Sequence, residues 1–177
     1  MAFVCTIPQG GFRVQGFAAS TPRVAIIDIG YDDAEPLNYK AAVGLDALPG
    51  GGLELYFHVI EADGATGGEH TFWSGRNTRF ISATEDRTAV LGAVLFALRD
   101  LLDANAPESF VWFTYDEAMP KKALLKFDLI RRVIEECGYT VTASRLPRGR
   151  RAWEAIRFPD AAVDSDGGEP DPNSERR

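Results

Sequence analysis

The chain has 177 residues, 45% of them apolar and 25% charged, a composition typical of one globular domain large enough to bury a core. Its formal net charge is −7, and −4 of this charge lies in residues 160–177, which hold six acids and two arginines. The rest of the chain therefore carries about −3, which argues against both an acidic DNA mimic and a generally basic nucleic-acid binder.

The cysteines and the apolar runs indicate the cellular compartment. Cys5 and Cys137 are too few for a disulfide framework, and two reduced thiols are the expected state, with one bridge between them as the alternative. The longest apolar run, residues 89–98, is too short to span a membrane. The N-terminus lacks a basic segment followed by a long apolar core. These features predict a cytoplasmic protein without a membrane segment.

The N-terminal half is predicted to be rich in strands. Residues 1–22 contain Gly, Pro and Ser at short intervals and predict an irregular arm, with one short strand near residues 12–17. Residues 23–31 (RVAIIDIGY) are nearly all apolar, which predicts a strand that is buried on both faces near the centre of a sheet. Residues 39–48 fit either a further strand or a short helix, and the PGGG sequence that follows them predicts a break.

Residues 53–62 alternate between apolar and polar side chains, with Tyr56 and His58 on the polar side, so they predict a strand. Residues 69–75 are expected to pair with this strand as a hairpin. His58 and His70 have no partners at metal-ligand spacing, and a structural or exposed role is expected for each.

The C-terminal half alternates between predicted helices and strands. Helical periodicity predicts a first helix over residues 84–102, capped by Thr84 or Asp86. Its apolar stripe consists of Leu91, Val94, Leu95, Leu98, Leu101 and Leu102. A strand over 109–116, an amphipathic helix over 120–137 and a strand over 139–146 follow.

Residues 147–158 fit a return strand or a short final helix, and residues 160–177 are expected to be an acidic disordered tail. The element order predicts a single α/β domain over residues 23–159. In this domain a mixed central sheet begins with antiparallel strands and continues as helix, strand, helix and strand, with parallel strands where a helix crosses between them.

Three carboxylates are the candidate catalytic residues. The chain has no phosphate-binding loop of the Walker type and no CxxC, HExxH or GxSxG motif. Asp28 lies within an apolar strand, Asp116 ends another apolar strand, and Glu154 lies in the last element. Carboxylates that converge at the ends of central strands would bind Mg²⁺ for phosphodiester hydrolysis. The alternatives are a buried Asp28 satisfied by backbone donors, a strand-end Asp116 and a solvated Glu154.

From Leu53 to about Phe158 the chain resembles the ribonuclease H-like family. The segment GEHTFWSGRNTRFISATEDRTAVLGAVLFALRDLL is similar to that family's third strand and first helix. SFVWFTYDEA resembles its fourth strand, with Asp116 one residue later than in the family, and RLPRGRRAWEAIRF resembles its closing elements, with Glu154 in the last carboxylate position. The resemblance implies Mg²⁺-dependent hydrolysis of RNA in RNA–DNA hybrids. It implies Asp28 as the first-strand ligand, although Asp46 has the more usual distance to the hairpin.

One departure from the family pattern points away from catalysis. The resemblance implies a metal-bridging Glu in the first turn of the first helix, at Ala89 or Val90, and neither residue can bind a metal. Glu85 and Asp86 precede this position and would substitute only if the helix began earlier. The chain is therefore interpreted as a degenerate member with weak or no nuclease activity. An active form would use Asp28, Asp116 and Glu154 to hold Mg²⁺.

A basic segment near the C-terminus is the candidate nucleic-acid site. Arg145, Arg148, Arg150 and Arg151 would bind a phosphate backbone, and Trp153 would stack on a base or sugar. The alternative is a solvated hairpin turn. Lys121, Lys122, Arg131 and Arg132 are expected to be ordinary surface charge.

Two further functions fit the same element order. A protein-binding module without nucleic-acid affinity is one of them. The other is an acetyltransferase-like fold, which would need a loop to cradle the pyrophosphate of its cofactor, and Arg87 is not followed by such a loop.

Overall fold

The computed structural model describes residues 2–8, 15–16, 23–73, 77–114, 117 and 121–158. Nine strands and two helices lie within these ranges. The strands are β1 (Phe3–Cys5), β2 (Gln15–Gly16), β3 (Arg23–Asp32), β4 (Leu37–Ala47), β5 (Leu53–Asp63), β6 (Glu69–Phe72), β7 (Ser109–Phe113), β8 (Tyr139–Arg145) and β9 (Arg151–Arg157). The helices are α1 (Thr84–Asn105) and α2 (Lys121–Glu136).

All nine strands belong to one mixed sheet in the order β1-β3-β4-β5-β7-β9-β8, with β2 paired to β3 and β6 paired to β5. The pairs β3–β4, β4–β5, β5–β6, β7–β9 and β8–β9 are antiparallel, whereas β5–β7 is parallel and is connected through α1. The predicted α/β class with a mixed sheet is therefore confirmed. The predicted hairpin of residues 53–62 with residues 69–75 is also confirmed, as β5–β6.

The turn chemistry of the β5–β6 hairpin fixes its register. The Asp63 carboxylate accepts hydrogen bonds from the backbone N–H groups of Ala65 and Thr66, at 2.8 and 3.3 Å, and from the Thr66 hydroxyl at 2.6 Å. These bonds lower the pKa of Asp63. Gly67 then adopts a left-handed φ of 71°, which glycine tolerates without steric cost. The resulting register places Phe72 opposite Val59.

Both helices pack on the same face of the sheet. Helix α1 contacts β3, β4 and α2, and α2 contacts β8. The side chains of this helix-covered face form the core, and the largest fully buried ones are Trp112, Tyr39, Phe110, Ile29, Leu45, Leu55, Leu98, Leu102, Ile134 and Val43. The structure is thus a two-layer α/β arrangement, because a sheet needs a covering layer only on its apolar face.

The other face of the sheet, the open face, is covered by neither helix. The strand registers assign the residues that project from it. From β3 to β9 these residues are Val24, Ile26, Asp28, Lys40, Ala42, Gly44, Asp46, Glu54, Tyr56, His58, Ile60, Val111, Phe113, Ala152, Glu154 and Ile156. Because this face carries charged, aromatic and small residues together, the strands do not alternate strictly between apolar and polar side chains.

The structure corrects several predictions for the N-terminal half. Strand β3 is not buried on both faces at the sheet centre, because neither helix covers its open face and β1 and β2 are its neighbours on one side. Residues 37–47 form a strand, which settles the alternative left open for this segment. In the arm, the short strand predicted near residues 12–17 is confirmed as Gln15–Gly16, and the strand Phe3–Cys5, which was not predicted, also pairs with β3. The rest of residues 9–22 lies outside the described residues.

The structure also settles smaller points. Residues 151–157 form a return strand and no helix. Helix α1 begins after Ala83, without a side-chain cap from Thr84 or Asp86. Cys5 and Cys137 are both free. Within the described ranges no helix is long and apolar enough to cross a membrane. The predicted tail, residues 160–177, lies outside the described residues.

Candidate nucleic-acid interface

The four arginines predicted to bind phosphate lie together at the turn between β8 and β9. We call Arg145, Arg148, Arg150 and Arg151 the basic turn. Arg145, Arg148 and Arg150 are exposed, and Arg151 is half-buried. Among the salt bridges between described residues only Arg148 of the four takes part, through Nη1 at 3.2 Å from Oε1 of Glu117. The arrangement concentrates positive charge at one end of the sheet.

The backbone of the basic turn is held in one conformation. Pro147 begins a single 3-10 turn over Pro147–Gly149, and Arg148 within it has a left-handed backbone, with φ 59° and ψ 26°. The Leu146 N–H donates to the Arg150 carbonyl at 2.9 Å, and the Arg151 N–H donates to the Thr114 hydroxyl at 2.8 Å. A non-glycine residue in the left-handed region is uncommon, and such strain is found most often where side chains serve a function.

Trp153 does not belong to this surface, which corrects the prediction that it stacks on a base. It is only 6% exposed and faces the helices. Its ring lies between Trp112, at a centroid distance of 5.6 Å, and Phe127 of α2, at 5.0 Å, with interplanar angles of 7° and 8°. Trp153 therefore stabilises the packing of α2 on the sheet and is not accessible to a ligand.

The structure does not bring the predicted metal ligands Asp28 and Glu154 together. Asp28 is exposed on β3, which corrects the prediction of a buried strand position, and Glu154 is exposed on β9. Strands β4, β5 and β7 separate them, so four strand spacings of about 4.8 Å place the two at least about 19 Å apart, too far to share an ion. Asp116 lies outside the described residues. In the described part of the chain no group of three or more His, Cys, Asp or Glu residues could hold a metal ion.

Helix α1 starts where it is predicted to start, but its first turn lies before residues 88–90, where the metal-bridging carboxylate is missing. The helix begins at Thr84, so its first turn contains Glu85 and Asp86 and does not lack acids. Asp86 is half-buried, whereas Glu85 is exposed. Val90, the predicted position of the missing metal-bridging carboxylate, is 9% exposed and belongs to the core. Packing against the sheet therefore accounts for the apolar residue at this position.

Sequence reasoning missed an aromatic cluster on the open face. We call Tyr56, His58 and Trp73 the aromatic surface. The Tyr56 and His58 rings stack at 4.5 Å and 24°, and the Trp73 ring lies 4.0 Å from that of His58 at 59°. Trp73 is 56% exposed. The alternation of β5 already placed Tyr56 and His58 on one side, but Trp73 joins them only through the hairpin register.

Burial and a neighbouring acid determine the electrostatics of the aromatic surface. Burial lowers the pKa of His58, and the charge of Asp46 partly opposes this effect. Burial, with a smaller contribution from Asp46, raises the pKa of Tyr56 to about 12. The Tyr56 ring also lies over Gly44, where any added Cβ would overlap the ring. At neutral pH both rings are therefore uncharged, and the glycine leaves room for the tyrosine.

The lowered pKa of His58 predicts a loss of stability in acid. The pKa of His58 is near 6.5 in the unfolded chain and lower in the folded protein. At pH values between these two pKa values, the unfolded state therefore binds more protons than the folded state. The free energy of unfolding should fall as the pH drops from about 7 to about 5, in urea titrations. His58→Gln should flatten this decline, and the matched variant His70→Gln should retain it. An undiminished decline in His58→Gln would contradict the assignment.

Comparison with protein-family models, with curated proteins and with solved structures gives no match to this chain.

Proposed function

We propose that the protein binds nucleic acid through the basic turn and acts as a non-enzymatic or weakly nucleolytic accessory protein. The observation that carries the proposal is the concentration of four arginines on one ordered turn, of which only Arg148 forms a salt bridge with another described residue. Guanidinium groups recognise phosphate oxygens through charge-assisted hydrogen bonds. The net charge of the whole chain opposes nonspecific binding, so affinity must come from a local patch such as this turn.

The ribonuclease H-like resemblance adds an expectation about activity. Under this resemblance the chain is a degenerate member, and the separation of at least about 19 Å between Asp28 and Glu154 supports this interpretation. Incubation with Mg²⁺ or Mn²⁺ and a labelled RNA–DNA hybrid should give little or no cleavage. Cleavage by the wild type that is lost in Asp116→Asn would overturn the non-enzymatic part of the proposal.

Binding of the same hybrid, followed by fluorescence anisotropy at several salt concentrations, tests the interface. We expect Arg148→Ala/Arg150→Ala to weaken binding by about 10-fold or more and to reduce the slope of log K against log salt by about 2, because two phosphate contacts are lost. Arg131→Ala/Arg132→Ala removes the same charge from α2 and should bind as the wild type does. Equal weakening in both variants would mean that only net charge matters, and the basic turn would lose its assigned role.

A protein-binding module is the second candidate, because the helix layer exposes large apolar side chains. Phe96 of α1 is 44% exposed, and Leu125 and Leu129 of α2 are 60% and 38% exposed. Exposed apolar groups that cluster favour a protein contact. Concentration-dependent association that is lost in Leu125→Ser/Leu129→Ser, together with no affinity for nucleic acid, would favour this candidate over the first.

A further inference from the structure

The aromatic surface and the basic turn adjoin each other on the sheet. Glu54 of β5 pairs with Val111 of the parallel strand β7, and extending this register by two residues places Phe113 beside Tyr56. Phe113 in turn pairs with Ala152, the neighbour of Arg151. Two strand spacings therefore separate Tyr56 from the start of the basic turn, a distance of about 10 Å. Arg145 and Arg151 pair with each other and share the face of Trp153, so a ligand of a few nucleotides on the open face reaches the basic turn at Arg148 and Arg150.

Trp73 is the exposed member of the aromatic surface. His58 lies against the Trp73 ring at 4.0 Å and is itself stacked on Tyr56, so the tryptophan has an aromatic support below it while more than half of its surface meets solvent. The other two tryptophans of the chain, Trp112 and Trp153, are buried at 1% and 6% exposure. A large exposed aromatic ring next to cationic side chains is the combination that binds single-stranded nucleic acid.

Acidic side chains set the direction that a phosphate backbone can take. On the open face Asp46 lies opposite Glu54, and Val111 lies between Glu54 and Glu154. These acids are two residues along the strands from the row of Tyr56 and Phe113, about 7 Å away. They repel phosphates on that side, whereas the arginines attract phosphates at the end of β9. The charges thus favour one path, across Trp73 toward the basic turn.

We infer that the open face is a binding site for single-stranded nucleic acid, in which bases stack on Trp73 above His58 and Tyr56 while the basic turn binds the adjoining phosphates. This inference rests on the proposed nucleic-acid function and specifies its ligand. A duplex keeps the faces of its bases stacked in the helix interior, so it can use the basic turn but offers no free base to stack on the aromatic surface. The site should therefore prefer single strands.

The fluorescence of Trp73 measures binding at the open face directly, because the other two tryptophans are buried. Titration with an oligothymidylate of about 12 nucleotides should quench the protein fluorescence and saturate, whereas a duplex of the same length should bind without quenching. Trp73→Ala should weaken oligothymidylate binding by about 5- to 150-fold, the range of one stacked base, and leave duplex binding unchanged. Trp73→Phe should restore most of the affinity. Phe96→Ala, which removes an exposed aromatic ring from α1, is the matched control and should bind as the wild type does.

The outcomes separate the two proposals. Oligothymidylate and duplex binding that is equally strong, insensitive to Trp73→Ala and still dependent on Arg148 and Arg150 would overturn the single-strand site while supporting the basic turn. Absence of binding to either nucleic acid would overturn both. Quenching by oligolysine without any binding of oligothymidylate would assign the open face to a cationic partner and overturn the inference. The circular dichroism spectrum of Trp73→Ala should match that of the wild type, and its urea midpoint should fall only slightly, which confirms that the variant is folded.

Discussion

Trp153→Ala is expected to lower the free energy of unfolding by about 3–5 kcal/mol. The ring fills the space between Trp112 of β7 and Phe127 of α2 and is nearly parallel to both. Removing it leaves a cavity that two rigid aromatic neighbours cannot close, and α2 loses a principal contact with the sheet. A loss of this size approaches the total unfolding free energy of many domains.

Urea denaturation followed by circular dichroism measures this loss, and Trp73→Ala is the matched control. The same substitution on the open face removes a ring that is 56% exposed, so we expect a loss of about 1 kcal/mol or less. Trp153→Phe retains an aromatic ring in the stack and should fall between the two. If Trp153→Ala were as stable as wild type and instead lost affinity for nucleic acid, the buried position of Trp153 would be wrong.

The predicted strands and helices were mostly correct because their signals are local. The alternation in β5, the apolar run of β7 and the helical periodicity of α2 each depend on neighbouring residues in the chain. The order of strands in the sheet depends on long-range pairing, which those patterns do not contain. The converging-carboxylate hypothesis assumed that Asp28 and Glu154 meet, yet three strands separate them.

The sequence also does not predict on which face of the sheet a given side chain lies. An alternating pattern shows which residues share a face but does not show which face the helices cover. The sequence pattern therefore groups Trp153 with the arginines that precede it, although Phe127 packs on it from the helix layer. For the same reason the pattern predicts that Asp28 lies in a strand buried on both faces. The open face leaves it exposed, since both helices lie on the other side.

The sequence predicts only part of the aromatic surface, because the position of Trp73 depends on how the β5–β6 hairpin folds. Tyr56 and His58 are two residues apart on one strand, so their proximity follows from the sequence. Trp73 comes from beyond the β5–β6 turn, and its position next to His58 depends on the hydrogen bonds of Asp63 and the left-handed Gly67. A hairpin whose turn were one residue longer would place Trp73 on the other face.

Helix α1 offers a comparison between residues that the sequence pattern treats as equal. Leu91 and Leu98 both belong to the predicted apolar stripe, but Leu98 is fully buried and Leu91 is half-buried. The buried face of the helix includes Ala93 and Ala97, whose small side chains let the backbone lie close to the sheet. This contact centres the helix on its small residues and leaves Leu91 toward the edge of the interface.

Leu98→Ala should therefore cost about 2–5 kcal/mol of unfolding free energy, the range for a buried leucine whose cavity cannot collapse. Leu91→Ala removes the same atoms from a position with partial solvent contact, so its loss should be smaller by about 1 kcal/mol or more. Urea titrations of the two variants under identical conditions measure the difference. Equal losses would mean that both leucines are buried alike, as the periodic pattern alone predicts. A larger loss for Leu98 would confirm that the buried face of α1 is centred near Ala93 and Ala97 and not on Leu91.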